Sequence, residues 1–312
     1  MNPPTCLVLG GTGFIGSRLL AALAPSGCRI TVLSRNREKG RSINILPNVR
    51  SYSADVHDRA TLEKYLVGQD AVVNLVGILN ETGKATFTHA HVDLTATLIA
   101  ACRQVGVRRI HQMSSLNAGN RASKYLKTRG EAEAQVRNSG MEWTIYRPSL
   151  VYGENDGLIF RFLKLLKMAP ALPLAQPHAK IAPVYVGDVA EAIRRCMSDR
   201  GTIGKIFELY GPDTLELVRT VRMIRNAAGL RRPVIPLPAA LGRLQAGVAE
   251  MIPGKPFSRD NFASLGVDSA GSRDGLAELG IEPRRFDAML PMLLGEYARA
   301  YRFDIARATR EP

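Results

Sequence analysis

Three glycines, Gly10, Gly13 and Gly16, stand in the run Cys6-Leu7-Val8-Leu9-Gly10-Gly11-Thr12-Gly13-Phe14-Ile15-Gly16 near the start of the chain. Their spacing suits the binding of a diphosphate. Gly10 permits a tight turn, Gly13 lets the backbone approach a pyrophosphate, and Gly16 lets a helix pack closely on the preceding strand. The helix start then offers N–H groups and a positive dipole end to the phosphates, with Thr12, Phe14 and Ile15 in the same contact set. A second chemical cue is Ser34-Arg35-Asn36-Arg37. Sites selective for NAD place an acidic residue about here to bind the ribose 2′-OH, and this chain has none. Arg35, helped by Ser34 and Arg37, instead offers a planar donor fork that matches a 2′-phosphate; a solvated basic loop is the alternative. NADP(H) is therefore the expected cofactor, with NAD(H) as the alternative.

The elements that must position these groups alternate regularly. After the first strand, Leu19, Leu20 and Leu23 recur at helical spacing. Strands are expected at Arg29–Leu33, Arg50–Ala54, Ala71–Gly77, Arg109–Met113 and Met141–Tyr146, and helices at Arg59–Val67, Thr88–Gln104 and Ala122–Asn138. Such alternation makes a parallel sheet, which binds ligands beyond the carboxyl ends of its strands. Asp55 and Val56 fall at one such end, where the carboxylate can accept from an adenine amino group. Asn74, Leu75, Val76 and Gly77 fall at the next, Ser114 and Ser115 at another, and Pro148 closes the sixth. Tyr125 and Arg129, four apart, share one helix face.

The fold class predicted is α/β, a Rossmann-type doubly wound parallel sheet, with residues 1–150 as the dinucleotide-binding domain. Beyond Leu150 the pattern loosens. A helix at Leu158–Met168, a strand at Ile181–Val186, a helix at Asp188–Met197, a strand at Lys205–Leu209, a helix at Leu215–Ala228 and Pro-punctuated helical pieces from Pro238 to Tyr301 predict a smaller, mostly helical region over 151–312, with about 181–210 returning to the sheet. The loop after Gly77, the segment Ser149–Tyr152 and the helix from Leu158, with Phe160, Leu163 and Met168, are expected to line an apolar cleft suited to a lipid-like or quinone-like ligand.

With 312 residues and 46% apolar content the chain can bury a large core, and no apolar run approaches the ~20 residues that span a bilayer. No cleavable leader is visible, and the four cysteines show no paired spacing, so a cytoplasmic protein is expected, or one peripheral on the inner face of a membrane. His89 and His91 lack a third ligand at a usual spacing, and no metal site is expected. The formal charge of +14 calls for anionic partners: phosphate-bearing ligands, an anionic membrane surface or an acidic protein. Nucleic acid is not expected, because no reading motif is present and the aromatics are not interleaved with the basic clusters. Arg161, Lys164 and Lys167 form a basic edge on the Leu158–Met168 helix that suits a membrane surface, or simply the wet side of a core-packed helix.

Taken together, Gly10, Gly13 and Gly16, Asp55-Val56, Asn74-Leu75-Val76-Gly77, Arg147-Pro148-Ser149-Leu150-Val151-Tyr152-Gly153 and Val184-Tyr185-Val186-Gly187-Asp188-Val189-Ala190 resemble the extended and atypical, epimerase-like branch of the short-chain dehydrogenase/reductase superfamily. Within it, Asn74–Gly77, Ser114-Ser115-Leu116-Asn117-Ala118 and Tyr125-Leu126-Lys127 look most like the nucleotide-binding accessory-subunit group of respiratory complex I and its bacterial relatives. The likeness runs to about Met197 and continues more faintly to Leu294. It implies bound NADPH and an interface with a respiratory or quinone-related complex. The superfamily pairs a catalytic tyrosine with a lysine four residues on; here Tyr125 is followed at that spacing by Arg129. Arginine keeps the charge but cannot pass on a proton as lysine can.

Two functions remain open from the sequence. One is a cofactor-loaded accessory or assembly factor of a respiratory or quinone-related system. The other is an NADP(H)-dependent oxidoreductase or epimerase-like enzyme, in which Tyr125 is the general acid/base, Ser114 or Ser115 holds a substrate carbonyl and Arg129 orients cofactor and tyrosine.

Overall fold

In the computed structural model, which describes residues 4–295 apart from 37, 39–40, 42, 155 and 253–256, seven strands build one sheet. They are β1 (Thr5–Leu9), β2 (Arg29–Ser34), β3 (Val49–Ser53), β4 (Ala71–Asn74), β5 (Arg109–Met113), β6 (Glu142–Pro148) and β7 (Lys205–Leu209). Their order is β7-β6-β5-β4-β1-β2-β3 and every pairing is parallel. The chain therefore reverses direction across the sheet between β1 and β4, the switch point at which such folds bind dinucleotides. The expected doubly wound α/β architecture is the one observed.

Alternation along β1 decides the layering. Cys6 and Val8 face one side, Leu7 and Leu9 the other, and all four are fully buried. Helices α1 (Phe14–Leu23), α2 (Arg59–Leu66), α3 (Leu94–Val105), α4 (Lys124–Arg137), α5 (Leu158–Met168) and α6 (Val186–Ser198) follow in chain order. Leu19, Leu20 and Leu23 of α1 and Val189, Ile193 and Cys196 of α6 cover the Cys6 and Val8 face. Leu62 and Leu66 of α2, Leu94 and Leu98 of α3 and Val136 of α4 cover the other.

Several expected elements are shorter or broken for identifiable reasons. The strand expected over Ala71–Gly77 stops at Asn74, because the Asn74 side-chain oxygen accepts from Val76 N at 3.2 Å and turns the chain out of the sheet. The single helix expected over Thr88–Gln104 begins as a π-helical segment, Thr88–Asp93, before α3, which ends at Gly106 with a left-handed φ of 84°. Ile181–Val186 is not one strand and does not enter the main sheet. Lys180–Ile181 pairs antiparallel with Leu215–Glu216, and Val184–Tyr185 pairs parallel with Val151–Tyr152. Pro183, which has no N–H to offer a ladder, separates the two pieces. Of the segment expected to return, β7 does join the sheet, beside β6.

After β7 come α7 (Leu217–Ala227), α8 (Ala239–Ala249), α9 (Arg259–Leu265), the short α10 (Gly275–Glu278) and helical residues 286–295. A further core gathers Ile159, Leu163 and Leu166 of α5 with Leu217, Val221 and Ile224 of α7 and with Tyr152, Tyr185 and Phe286. The apolar face of α5 is covered by protein, the core-packed alternative of the two readings, and Leu163 belongs to this core instead of a cleft, while Met168 is 74% exposed at the helix end.

Gly16 shows how tightly the first turn is made. A Cβ placed there would overlap Gly10 O and Gly11 Cα, which are backbone atoms and cannot swing aside. Gly16→Ala should therefore lower the stability of the ligand-free protein by about 1–3 kcal/mol. Chemical denaturation reads this directly, and an unchanged midpoint would show that turn and helix part at no cost.

Candidate functional site

The candidate phosphate end of the site is the β1–α1 turn. Gly10 has φ 79°, a left-handed conformation that a side chain disfavours, and its carbonyl accepts from Gly13 N at 3.0 Å. Gly13 caps α1 in extended conformation, and no side chain closes the helix start. Only Gly10 O, at 3.2 Å, would crowd a Cβ on Gly13, so the ground above it is open to a ligand. Phe14 and Ile15 turn half-buried side chains toward the C-terminal core. An uncapped ten-residue helix with a glycine mouth fits a diphosphate.

At the adenosine end, Thr12 Oγ1 and Ser34 Oγ lie 3.4 Å apart, and Ser34 also bonds Asn36. Arg35 is exposed just past β2, whereas Arg37 lies outside the described residues. A cleft of ≈ 290 Å³ opens beside Ser34, lined by Asn36, Arg41, Asn44, Ser51 and Ser53 among others. Arg41 is a second cation there, and no spacing signal marks it in the sequence. Asp55 is exposed beyond β3 with one oxygen accepting from His57 N at 3.0 Å, and Val56 is buried beneath it. The His57 ring stacks on His89 at 3.8 Å, and burial, then His89, lowers its pKa.

At the carboxyl ends of β4 and β5, the candidate nicotinamide end, Asn74 and Arg129 are bonded within the protein. Asn74 is buried and its side chain is fully engaged within the protein, donating to Gln112 Oε1 at 3.0 Å while holding Val76. Leu75 N donates to Leu9 O, fixing the β4 exit to β1. Arg129, also buried, donates through Nη1 to Val76 O at 3.3 Å and to Met113 O at 3.1 Å. Its guanidinium thus bridges the ends of β4 and β5, and Gly77 leaves the space that its other nitrogen, Nη2, occupies. The guanidinium carbon stands 5.4 Å from the centre of the Tyr125 ring. Tyr125 is half-buried, edge-on to Phe87 and His91 at 5.7 and 5.6 Å. Ser114 and Ser115 are buried, and neither hydroxyl has a hydrogen-bond partner in the protein, so capping by their own backbone is not what fixes them. Two buried, unpartnered hydroxyls just past the end of β5 fit a polar ligand group there. Pro148 ends β6 and is buried, its carbonyl accepting from Leu116 N.

Other residues hold this end in place without having been legible as site residues. Asp260 of α9 accepts from Lys124 N at 2.6 Å and Tyr125 N at 3.2 Å, capping α4 from across the molecule. Arg147 forms a two-pronged pair with buried Glu133, fastening β6 to α4. Gly130 lets α4 touch the Gly119 backbone, which a Cβ would overlap. A serine-to-asparagine capping box, Ser258 with Asn261, was the one local signal available for α9.

The parallel sheet, its order and its switch point are those of a Rossmann-type α/β fold. Residues 10–164 match the family described as NAD(P)H-binding. Among whole-chain relatives, the mitochondrial NADH-ubiquinone oxidoreductase 40 kDa subunit of Neurospora crassa is 27% identical over 98% of this chain and 83% of its own length. The mitochondrial NADH dehydrogenase (ubiquinone) 1 alpha subcomplex subunit 9 of Mus musculus is 27% identical over 88% of this chain and 76% of its own. The likeness read from the sequence motifs thus holds across most of the chain. A solved NADPH-dependent quinone oxidoreductase from Escherichia coli, in complex with NADPH, has a TM-score of 0.74 at 19% identity, covering 92% of this chain and 99% of that one, and shares the fold.

His91 supplies a pH test of this packing. Its Nδ1 lies 2.9 Å from Thr128 Oγ1, and that hydroxyl donates to Lys124 O, so the ring nitrogen is the donor. Burial, and then the Arg129 charge, pushes the imidazole down to about 2. The unfolded ring protonates below about 6.5, so in that window the unfolded state binds more protons and stability falls as pH falls. Between about pH 7 and pH 5 this group should cost about 2 kcal/mol. His91→Gln keeps a donor for Thr128 and removes the titration. Its stability should vary by about 2 kcal/mol less over the same interval, and equal pH slopes in the two proteins would show that His91 is protonated in the native state.

Proposed function

We propose that this chain is a dinucleotide-loaded accessory or assembly component of a respiratory or quinone-linked complex, in which the cofactor completes the fold rather than turning over. The observation that carries this reading is the placement of Arg129. The residue that stands where the superfamily has its catalytic lysine is tied to Val76 O and Met113 O and is buried. A guanidinium keeps its proton and, held by two carbonyls, serves the sheet edge in place of a proton relay. Both mitochondrial relatives are, by name, subunits of ubiquinone-linked NADH dehydrogenases, which supports a partner of that kind. Among the described residues no helix is long and apolar enough to cross a membrane, so attachment would be peripheral. The second reading, a reductase acting on an apolar or quinone-like carbonyl, is favoured by one observation, the unpartnered hydroxyls of Ser114 and Ser115 at the end of β5. Complementation of a deletion strain by Tyr125→Phe separates the two. Full complementation is expected, and loss of function in a folded, NADPH-bound variant would overturn the accessory reading.

The preferred dinucleotide is NADP(H). Arg35 is exposed where an acidic residue would otherwise meet the 2′-OH, and Arg41 lines the neighbouring cleft. A charge-assisted contact to the 2′-phosphate should favour NADPH over NADH by roughly 1.5–3 kcal/mol, about tenfold to a hundredfold in Kd. Calorimetric titration with both dinucleotides measures the ratio. Equal affinities, or the same ratio in Arg35→Ala, would remove the preference.

A further inference from the structure

Helix α8 is packed inside out. Its small residues Gly242, Ala246 and Ala249 face inward, and a Cβ on Gly242 would stand 2.9 Å from the Phe262 ring and 3.1 Å from the Ala175 methyl. The large aliphatic side chains point the other way. Leu241, Leu244 and Val248, with Met251 and Ile252 just beyond the helix, are 51%, 64%, 55%, 85% and 49% exposed. Their spacing of three and four sets them on one stripe. Gln245 Nε2 donates to Pro173 O at 2.8 Å, laying the helix against the strand Leu172–Leu174, whose partner strand Val234–Pro236 adds the exposed Ile235. Exposed apolar surface this continuous marks a contact.

Charge selects what makes that contact. From Leu217 to Ile252 the chain carries six arginines against one carboxylate, Glu250, which is itself paired with Arg259. Arg231 and Arg232 are exposed just before the Ile235 strand, and Arg243 is exposed between Leu241 and Leu244. A second copy of the chain would set this cationic rim, and a formal charge of +14, against its own like. An anionic bilayer meets both features, since its headgroups attract the arginines and the upper acyl region accepts the aliphatic side chains. We propose that α8 and the Ile235 strand form a docking face for an anionic lipid surface, with the helix lying in the plane of the headgroups. The basic edge of α5 is not this face, because the apolar side of that helix is already buried. Lipid contact of this kind needs neither bound dinucleotide nor a protein partner.

Flotation of the full chain with vesicles of phosphatidylethanolamine and phosphatidylglycerol, against vesicles of phosphatidylcholine alone, tests it. Recovery is expected on the anionic vesicles, decreasing as salt screens the arginines. The triple variant Leu241→Ser, Leu244→Ser, Val248→Ser should lose recovery by about tenfold or more while keeping its melting temperature. Leu244→Trp gives a second reading that tolerates a poorly folded triple variant: the emission of the introduced indole should shift to shorter wavelength on the anionic vesicles. Absence of wild-type recovery at low salt, undiminished recovery of a folded triple variant, or an unshifted emission from Leu244→Trp would each overturn the proposal. So would a wild-type dimer by light scattering that the triple variant converts to monomer, which would make the stripe an interface between copies.

Discussion

The Gly10 carbonyl occupies the place that a side chain on Gly16 would need, and the Gly10 Cα stands so close to the β4 exit that a Cβ would lie 3.0 Å from Leu75 C and 3.1 Å from Val76 N. The first turn is thus held from both sides by backbone. Because Leu75 is bonded to Leu9 and Val76 is held by Asn74 and Arg129, the same line of contacts continues across the sheet edge to Met113 and the two serines after it. The β1–α1 turn and the carboxyl ends of β4 and β5 therefore form one continuous edge. Such pre-organisation lets a dinucleotide bind without the entropic cost of ordering the chain.

Arg129 is the part of that edge where structure and chemistry compete. A lysine ammonium is a point charge on a flexible stem, whereas a guanidinium presents a fixed fan of donors. Here one nitrogen, Nη1, reaches both carbonyls at the ends of neighbouring strands, and Gly77 leaves room for Nη2. What the arrangement gains in stiffness it loses in mobility, since a buried cation bound to two main-chain oxygens cannot swing to serve a moving proton. His91 reinforces the same choice: buried against Tyr125 and kept neutral, it packs rather than titrates near neutrality.

The sheet was legible because its period and its punctuation agree. Buried apolar runs such as Leu7–Leu9 and Val72–Val73 are followed by glycine or asparagine at the carboxyl ends, so strand existence and site position come from the same residues. What the residues did not announce were contacts made by chain folded back from far away. Asp260 caps a helix that begins at Lys124, and nothing near either position marks the pairing. Ile181–Val186 reads as one strand by composition, yet Pro183 and two different partner strands divide it. Asn74 does stand at the sheet edge, but its side chain turns inward, since a buried amide must satisfy its own hydrogen bonds before it can serve a ligand.

Net charge alone did not distinguish α5 from α8, and burial does. In α5 the aliphatic side is core and only the polar side meets water, whereas α8 reverses this order by using glycine and alanine for its inner contacts. Small inner residues bring α8 close to Phe262 of α9, and the first turn of α9 carries Asp260, whose carboxylate holds the first N–H groups of α4. Burial raises the pKa of that carboxyl, partly opposed by the Lys124 and Tyr125 N–H groups that donate to it. The exposed apolar stripe and the helix bearing Tyr125 are consequently linked by two packed contacts.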